Sequence, residues 1–207
     1  MRAFFEKIID ILFPKEITVL ELEKIPSDEL IFRLSKPKQS ANTTPALFSY
    51  QDKKVKVLIA EIKRHENKIL IEKVAEMMCE KILESFEDDL QFGMQKISLV
   101  PVPSSVHRVR ERGYNPAELI AQKIVKHRPD IFEYAPILKK IRETKRQTNL
   151  PRSERLTNLV GAFEATPTNA PVIIIDDVST TGATLAEAKR ALHERNVFIH
   201  HSFVIAK

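Results

Sequence analysis

Pro171-Val172-Ile173-Ile174-Ile175-Asp176-Asp177-Val178-Ser179-Thr180-Thr181-Gly182-Ala183-Thr184 is the stretch whose reading decides the fold. Four consecutive β-preferring apolar residues without polar alternation fit a central strand of a parallel sheet covered on both faces. Such strands place ligands at their carboxyl ends, and here that end carries Asp176 and Asp177. Pleat alternation sends the two side chains to opposite sides, so at least one faces the crevice above the sheet. A carboxylate there suits a ribose diol but repels phosphate, which moves an anion further along the loop. Gly182 permits backbone angles barred to other residues, and the hydroxyls of Thr180, Thr181 and Thr184 add donors, so the loop reads as a phosphate cradle. Thr184 to Glu187 reads as a capping box for the next helix, whose N-terminus then points at the anion.

Working outward, a second apolar run, Ile97 to Val102, leads into Pro103-Ser104-Ser105 and a basic stretch from His107 to Arg112. Asn115, Pro116 and Glu118 read as an N-cap, a first-turn proline and a capping acid, and the helix they start ends before Pro129. Upstream, Val55, Leu58, Ile59 and Ile62 mark one amphipathic helix, and Ile69 to about Phe86 a longer one. Ala46 to Tyr50, Pro136 to Ile141 and Val197 to Ile205 read as further strands. Strands alternating with helices predict an α/β fold with a mainly parallel central sheet flanked by helices.

The N-terminal part reads differently. Phe4, Ile8, Ile11 and Leu12 form one face of a short helix ended by Pro14, and Ile17 to Leu22 and Leu30 to Leu34 read as short strands. The polar segment Lys36 to Pro45 sets a boundary between an N-terminal extension, residues 1–45, and a domain of residues 46–207.

Composition narrows the function classes. The chain has 207 residues and a net charge of +5, and one segment carries that excess. Lys139, Lys140, Arg142, Lys145, Arg146, Arg152 and Arg155 face only Glu143 and Glu154, so the partner of this segment is anionic. The single cysteine, Cys79, excludes an intramolecular disulfide and reads as a small core residue of a helix. Glu6, Lys7 and Asp10 interrupt the apolar start, leaving neither a signal-peptide core nor the ~20 apolar residues of a spanning helix. The expectation is a cytoplasmic protein without membrane insertion.

The strand, acidic pair, hydroxyl residues and glycine resemble the 5-phosphoribosyl-1-pyrophosphate (PRPP) motif of type I phosphoribosyltransferases. Val100-Pro101-Val102-Pro103, Arg108, Arg110 to Leu119, Arg142-Glu143-Thr144, Gln147 to Leu150, Arg155, Asn158 and Gly161-Ala162-Phe163 together resemble the competence protein F (ComF) family of phosphoribosyltransferase-like proteins. Tyr50 and Lys63 also sit where that family places a tyrosine and a lysine. Many members carry a four-cysteine zinc ribbon near the N-terminus; this chain has no cysteine before Cys79, and no zinc is expected.

The resemblance implies a type I phosphoribosyltransferase fold with a mobile hood. It implies a 5-phosphate and ribose site at Asp176, Asp177, Ser179, Thr180, Thr181, Gly182, Ala183 and Thr184. Pyrophosphate would meet Pro103, Ser104 and Ser105, with fixed charge from one of Arg108 and Arg112. The hood supplies Arg142, Thr144, Lys145, Arg146, Gln147 and Arg155, and the catalytic set is Asp176, Asp177, Arg142 and Arg155. Mg²⁺ arrives with PRPP and takes no direct protein ligand. The implied activity is phosphoribosyl transfer to an unidentified nitrogenous acceptor, linked to DNA uptake. The alternative is a non-catalytic PRPP- or nucleotide-sensing module, or one that handles single-stranded DNA with competence proteins as partners. Against a DNA role, the segment from Arg142 to Leu159 contains no aromatic platform for stacking bases.

Overall fold

A computed structural model describes residues 17–37, 44–85, 96–142 and 159–207. The helix read at Phe4 to Leu12 lies outside them, as do Thr144, Lys145, Arg146, Gln147 and Arg155.

The run that opened the reading is the third strand of five. Strands β1 (Ala46–Phe48), β2 (Ile97–Pro101), β3 (Phe132–Tyr134), β6 (Val172–Val178) and β7 (Ile199–Ala206) form one sheet in the order β1-β7-β6-β2-β3, every neighbouring pair parallel. Val172 to Ile175 are fully buried because the sheet is covered twice. Ile173 and Ile175 join a core with Val55, Ile59, Leu70, Val74 and Ile120, supplied by α3 (Lys53–Arg64), α4 (Lys68–Glu84) and α6 (Pro116–His127). Val172 and Ile174 point the other way, toward Leu185, Ala188 and Leu192 of α7 (Ala183–His193). The protein is therefore an α/β fold built on a mainly parallel sheet flanked by helices.

Two features of the strand reading are corrected. The segment around Pro136 to Ile141 does not extend the parallel sheet; only Leu138–Lys140 is strand (β4), paired antiparallel with Phe163–Ala165 (β5) in a separate two-stranded ribbon. Its apolar contribution is small, Leu138 being buried while Lys139 is exposed, which suits a ribbon lying over α7 better than a covered central strand. The third parallel strand is instead β3, whose three residues are too few to show a period.

The two N-terminal strands are also helices: α1 (Ile17–Lys24) and α2 (Ser27–Arg33). Val19 and Leu22 are buried three residues apart, and Leu30 and Leu34 four apart, the helical spacing that puts side chains on one face. Ile17 and Phe32, which completed the apolar appearance of these windows, stand in solvent at 77% exposure each. Lys73 of α4 fastens α1 by donating from Nζ to the carbonyls of Leu22, Glu23 and Ile25, satisfying orphan acceptors at the helix end. Leu22, Leu30 and Leu34 belong to the same core as α3 and α4.

Candidate functional site

At the carboxyl ends of β2 and β6 the sheet opens into a cleft of about 230 Å³. Val102, Pro103, Ser104 and Ser105 form one wall, and Asp176, Asp177, Val178, Thr180 and Thr184 another. The crossover that leaves β2 and the one that leaves β6 start side by side, which is where parallel sheets place ligands.

The acidic pair divides as the pleat requires. Asp176 follows the α7-side residues Val172 and Ile174 and is buried to 9% exposure; Asp177 follows Ile173 and Ile175 toward α3. There Lys63 Nζ lies 2.9 Å from Asp177 Oδ1, with both side chains mostly out of solvent. Asp176 Oδ1 accepts from the Asp177 amide at 2.8 Å. Burial drives the Asp176 carboxyl well above the usual carboxylate range and the neighbouring Asp177 charge adds to the push; the Asp177 amide, Lys63 and Arg108 oppose it.

The loop after β6 is open where an anion needs it. Ser179 donates its amide to Ala206 at 3.0 Å, and the Ala183 amide reaches Thr181 Oγ1 at 3.4 Å. Between them the amides of Thr180, Thr181 and Gly182 donate to no acceptor among the described residues. Gly182 has φ +78°, a left-handed conformation, and a Cβ there would meet nothing within 4 Å. The glycine is thus required by backbone angle, not by space.

Gly182 is also the N-cap of α7, which corrects the capping box expected at Thr184. The left-handed turn starts the helix two residues earlier than the hydroxyl pattern suggested. Glu187 then serves a different purpose: it accepts from the Ala162 amide at 3.2 Å and pairs with Arg190 at 2.8 Å. Asn115 likewise occupies the N-cap position of α6 without a capping bond, and Glu118 accepts from the Tyr134 hydroxyl.

On the β2 side, Ser105 caps a further helix, α5 (Val106–Arg112), by accepting from the Arg108 amide at 3.3 Å. Arg108 lines the cleft, whereas Arg112, one turn on, does not. Arg142 stands at the edge of the ribbon and donates to the Val160 carbonyl at 2.6 Å instead of lining the cleft. Ser179, Thr181, Gly182 and Ala183 shape the loop without lining the cleft wall.

Several wall residues were not among the predicted site residues. Tyr50, Lys63 and Phe163 carried a signal only through the family resemblance and Lys140 only as part of the basic segment, while Leu159 carried none of its own. Leu159 is buried against Ala162 and Ala183, so the return of the chain after residue 158 rests directly on the first turn of α7.

Among the described residues, no group of three or more His, Cys, Asp or Glu side chains could hold a metal ion. Two carboxylates, one paired with Lys63 and one buried, fit a Mg²⁺ that keeps substrate oxygens and water as ligands, not an all-protein cage. Cys79 is buried within α4, and burial raises its thiol to about 11, so it behaves as an inert core residue. No described helix is long and apolar enough to cross a membrane.

No family model matches the chain. It is 33% identical to Competence protein F of Haemophilus influenzae over 105 residues, which is 48% of this chain and 45% of the relative. It is 33% identical to Competence protein ComFC of Bacillus subtilis over 124 residues, 56% of this chain and 48% of the relative. A third match, ComFC of Streptococcus pneumoniae, is 30% identical over 121 residues, 58% of this chain and 52% of the relative. Over these stretches the chain is similar to ComF and ComFC competence proteins. The chain spans about half the length of the curated relatives it matches.

Proposed function

We propose that this ComF-like chain binds PRPP in the cleft and transfers its phosphoribosyl group to a nitrogenous acceptor, in a role tied to DNA uptake. The observation that carries the reading is the row of amides from Thr180 to Gly182 that donate to no acceptor among the described residues, on the loop whose Thr180 lines the cleft with the buried Asp176. Free amides at a glycine turn before a helix suit a phosphate monoester, and a carboxylate on the same cleft wall suits ribose hydroxyls.

In this reading the 5-phosphate sits on the loop after β6 and the pyrophosphate on the loop after β2, next to Arg108. The bond from ribose C1 to pyrophosphate oxygen breaks, a bond from C1 to the acceptor nitrogen forms, and the acceptor's proton passes to the released pyrophosphate or to water. Arg108 and Lys63 supply fixed positive charge, which stabilises the departing pyrophosphate without reorganisation. Asp176 or Asp177 would stand near a Mg²⁺ brought in with the substrate, which would supply further neutralisation of the leaving group's charge. No side-chain nucleophile is required.

Thermal denaturation tests the site. PRPP with Mg²⁺ at millimolar concentration is expected to raise the melting temperature, and Asp177→Asn or Thr181→Ala to diminish the rise. A melting curve that does not move sinks the reading. Pyrophosphate release in a screen of purine and pyrimidine bases then separates transfer from sensing, because tight PRPP binding with no release for any base favours a sensor.

A further inference from the structure

The Arg-Gly-Tyr-Asn-Pro run at 112–116 belongs to the sequence pattern of the family resemblance, yet the chemistry above uses neither its tyrosine nor its asparagine. The structure gives both a task. Tyr114 Oη donates to the Ile62 carbonyl at 2.7 Å and accepts from the Glu66 amide at 2.8 Å. It thereby closes the C-terminal end of α3, where Glu66 holds a left-handed φ of 47°. Lys63, the residue after Ile62, reaches Asp177 from that same turn.

Asn115 works in the opposite direction. Its Nδ2 donates to the Val102 carbonyl at 3.0 Å, and its Oδ1 accepts from the Ser104 hydroxyl at 3.0 Å. Val102 and Ser104 are wall residues of the loop after β2, and Asn115 itself is only 8% exposed. Gly113, with φ +85° at the end of α5, makes the turn that lets two adjacent side chains leave toward different walls.

We infer that Tyr114 and Asn115 are positioning residues that fix the separation between the loop after β2 and the Lys63–Asp177 pair. The inference rests on the PRPP reading, since it matters only if one ligand must touch both walls at once. A buried, doubly bonded asparagine holds a loop in one geometry, and a ligand whose two ends bind different loops depends on their spacing.

Equilibrium binding to the full chain, measured well below its melting temperature, tests this with two probes. PRPP with Mg²⁺ touches both loops; ribose 5-phosphate lacks the pyrophosphate and reports on the loop after β6 alone. Asn115→Ala is expected to weaken PRPP by about tenfold or more while changing ribose 5-phosphate by less than about twofold. Tyr114→Phe removes only the hydroxyl and is expected to weaken both probes, by about threefold or more, through the loosened turn that carries Lys63. An Asn115→Ala protein that loses both probes by the same factor, or neither, overturns the inference even if it melts earlier. If that variant does not fold, Asn115→Asp keeps the shape, loses the donor to Val102 and is judged by the same ratio. A wild-type chain that binds neither probe sinks the PRPP reading and this inference with it. Wild-type binding combined with an unchanged ratio sinks the inference alone.

Discussion

Lys63 and Asp177 meet across the cleft at 2.9 Å, one from the last turn of α3 and the other from the end of β6. The pair ties the sheet to a helix and holds Asp177 in one orientation. It also limits how much negative charge Asp176 experiences, because Lys63 opposes the rise of the Asp176 carboxyl.

Removing one partner leaves the other charge beside Asp176 with no counterion. Lys63→Met is therefore expected to lower stability by about 1 kcal/mol, the range for a largely but not fully buried pair. It should also raise the Asp176 carboxyl further and weaken PRPP by about tenfold. Asp177→Asn in the same background should recover much of the stability. A double-mutant cycle by urea denaturation checks the coupling, and strict additivity would remove the pair from this account.

A second expectation concerns the staple behind the cleft wall. Glu187 is 5% exposed; burial works to raise its carboxyl, but Arg190 and the amides of Gly161 and Phe163 hold it below the usual range. A depressed carboxyl contributes stability above its unfolded value, about 4.3, and that contribution is lost as pH falls through the lower folded value. Glu187→Ala leaves Arg190 with Glu194 and the Phe163 carbonyl, and the Ala162 amide without its side-chain acceptor, so it should cost about 2–3 kcal/mol near neutral pH. Glu187→Gln keeps the acceptor and should cost less. Denaturant midpoints measured from pH 7 to acid check both, since the wild-type advantage should shrink on acidification.

How much of this was legible in the sequence depended on how local each determinant is. Val172 to Ile175 announced a doubly covered strand because four apolar residues in a row have few other uses. The acidic pair and Gly182 were legible for the same reason, each acting within its own loop. Residues 17–34 misled because the helices have eight and seven residues, too short for a period to emerge, and because Ile17 and Phe32 are apolar yet exposed.

The site's supporting contacts were not legible, and their sequence separations explain it. Tyr114 bonds partners 48 and 52 residues away, and Glu187 bonds one 25 away. Propensity and spacing describe neighbours along the chain; they do not say which loop a side chain will find across the cleft. Thr184 and Glu187 formed a convincing capping pattern that the positive φ of Gly182 displaced by starting the helix earlier.

The last expectation sets stability against binding at Asp176. Its carboxyl is raised by burial and by Asp177, so the folded state favours the protonated form. For a raised acid, the stabilising contribution is complete below the unfolded value, about 3.9, and is lost as pH climbs from there through the raised folded value. Asp176→Asn removes the titration while keeping an oxygen able to accept from the Asp177 amide. The variant should consequently lose less stability than the wild type on going from pH 5 to pH 9, the gap growing by at most about 1.4 kcal/mol per pH unit inside that window. With PRPP and Mg²⁺ the order should reverse, because the asparagine cannot accept from ribose hydroxyls with the strength of a carboxylate. Melting curves across that pH range, with and without ligand, check both halves. Parallel curves without ligand would mean that the Asp176 charge does not burden the fold, and an undiminished ligand shift would mean that ribose does not rest on this carboxylate.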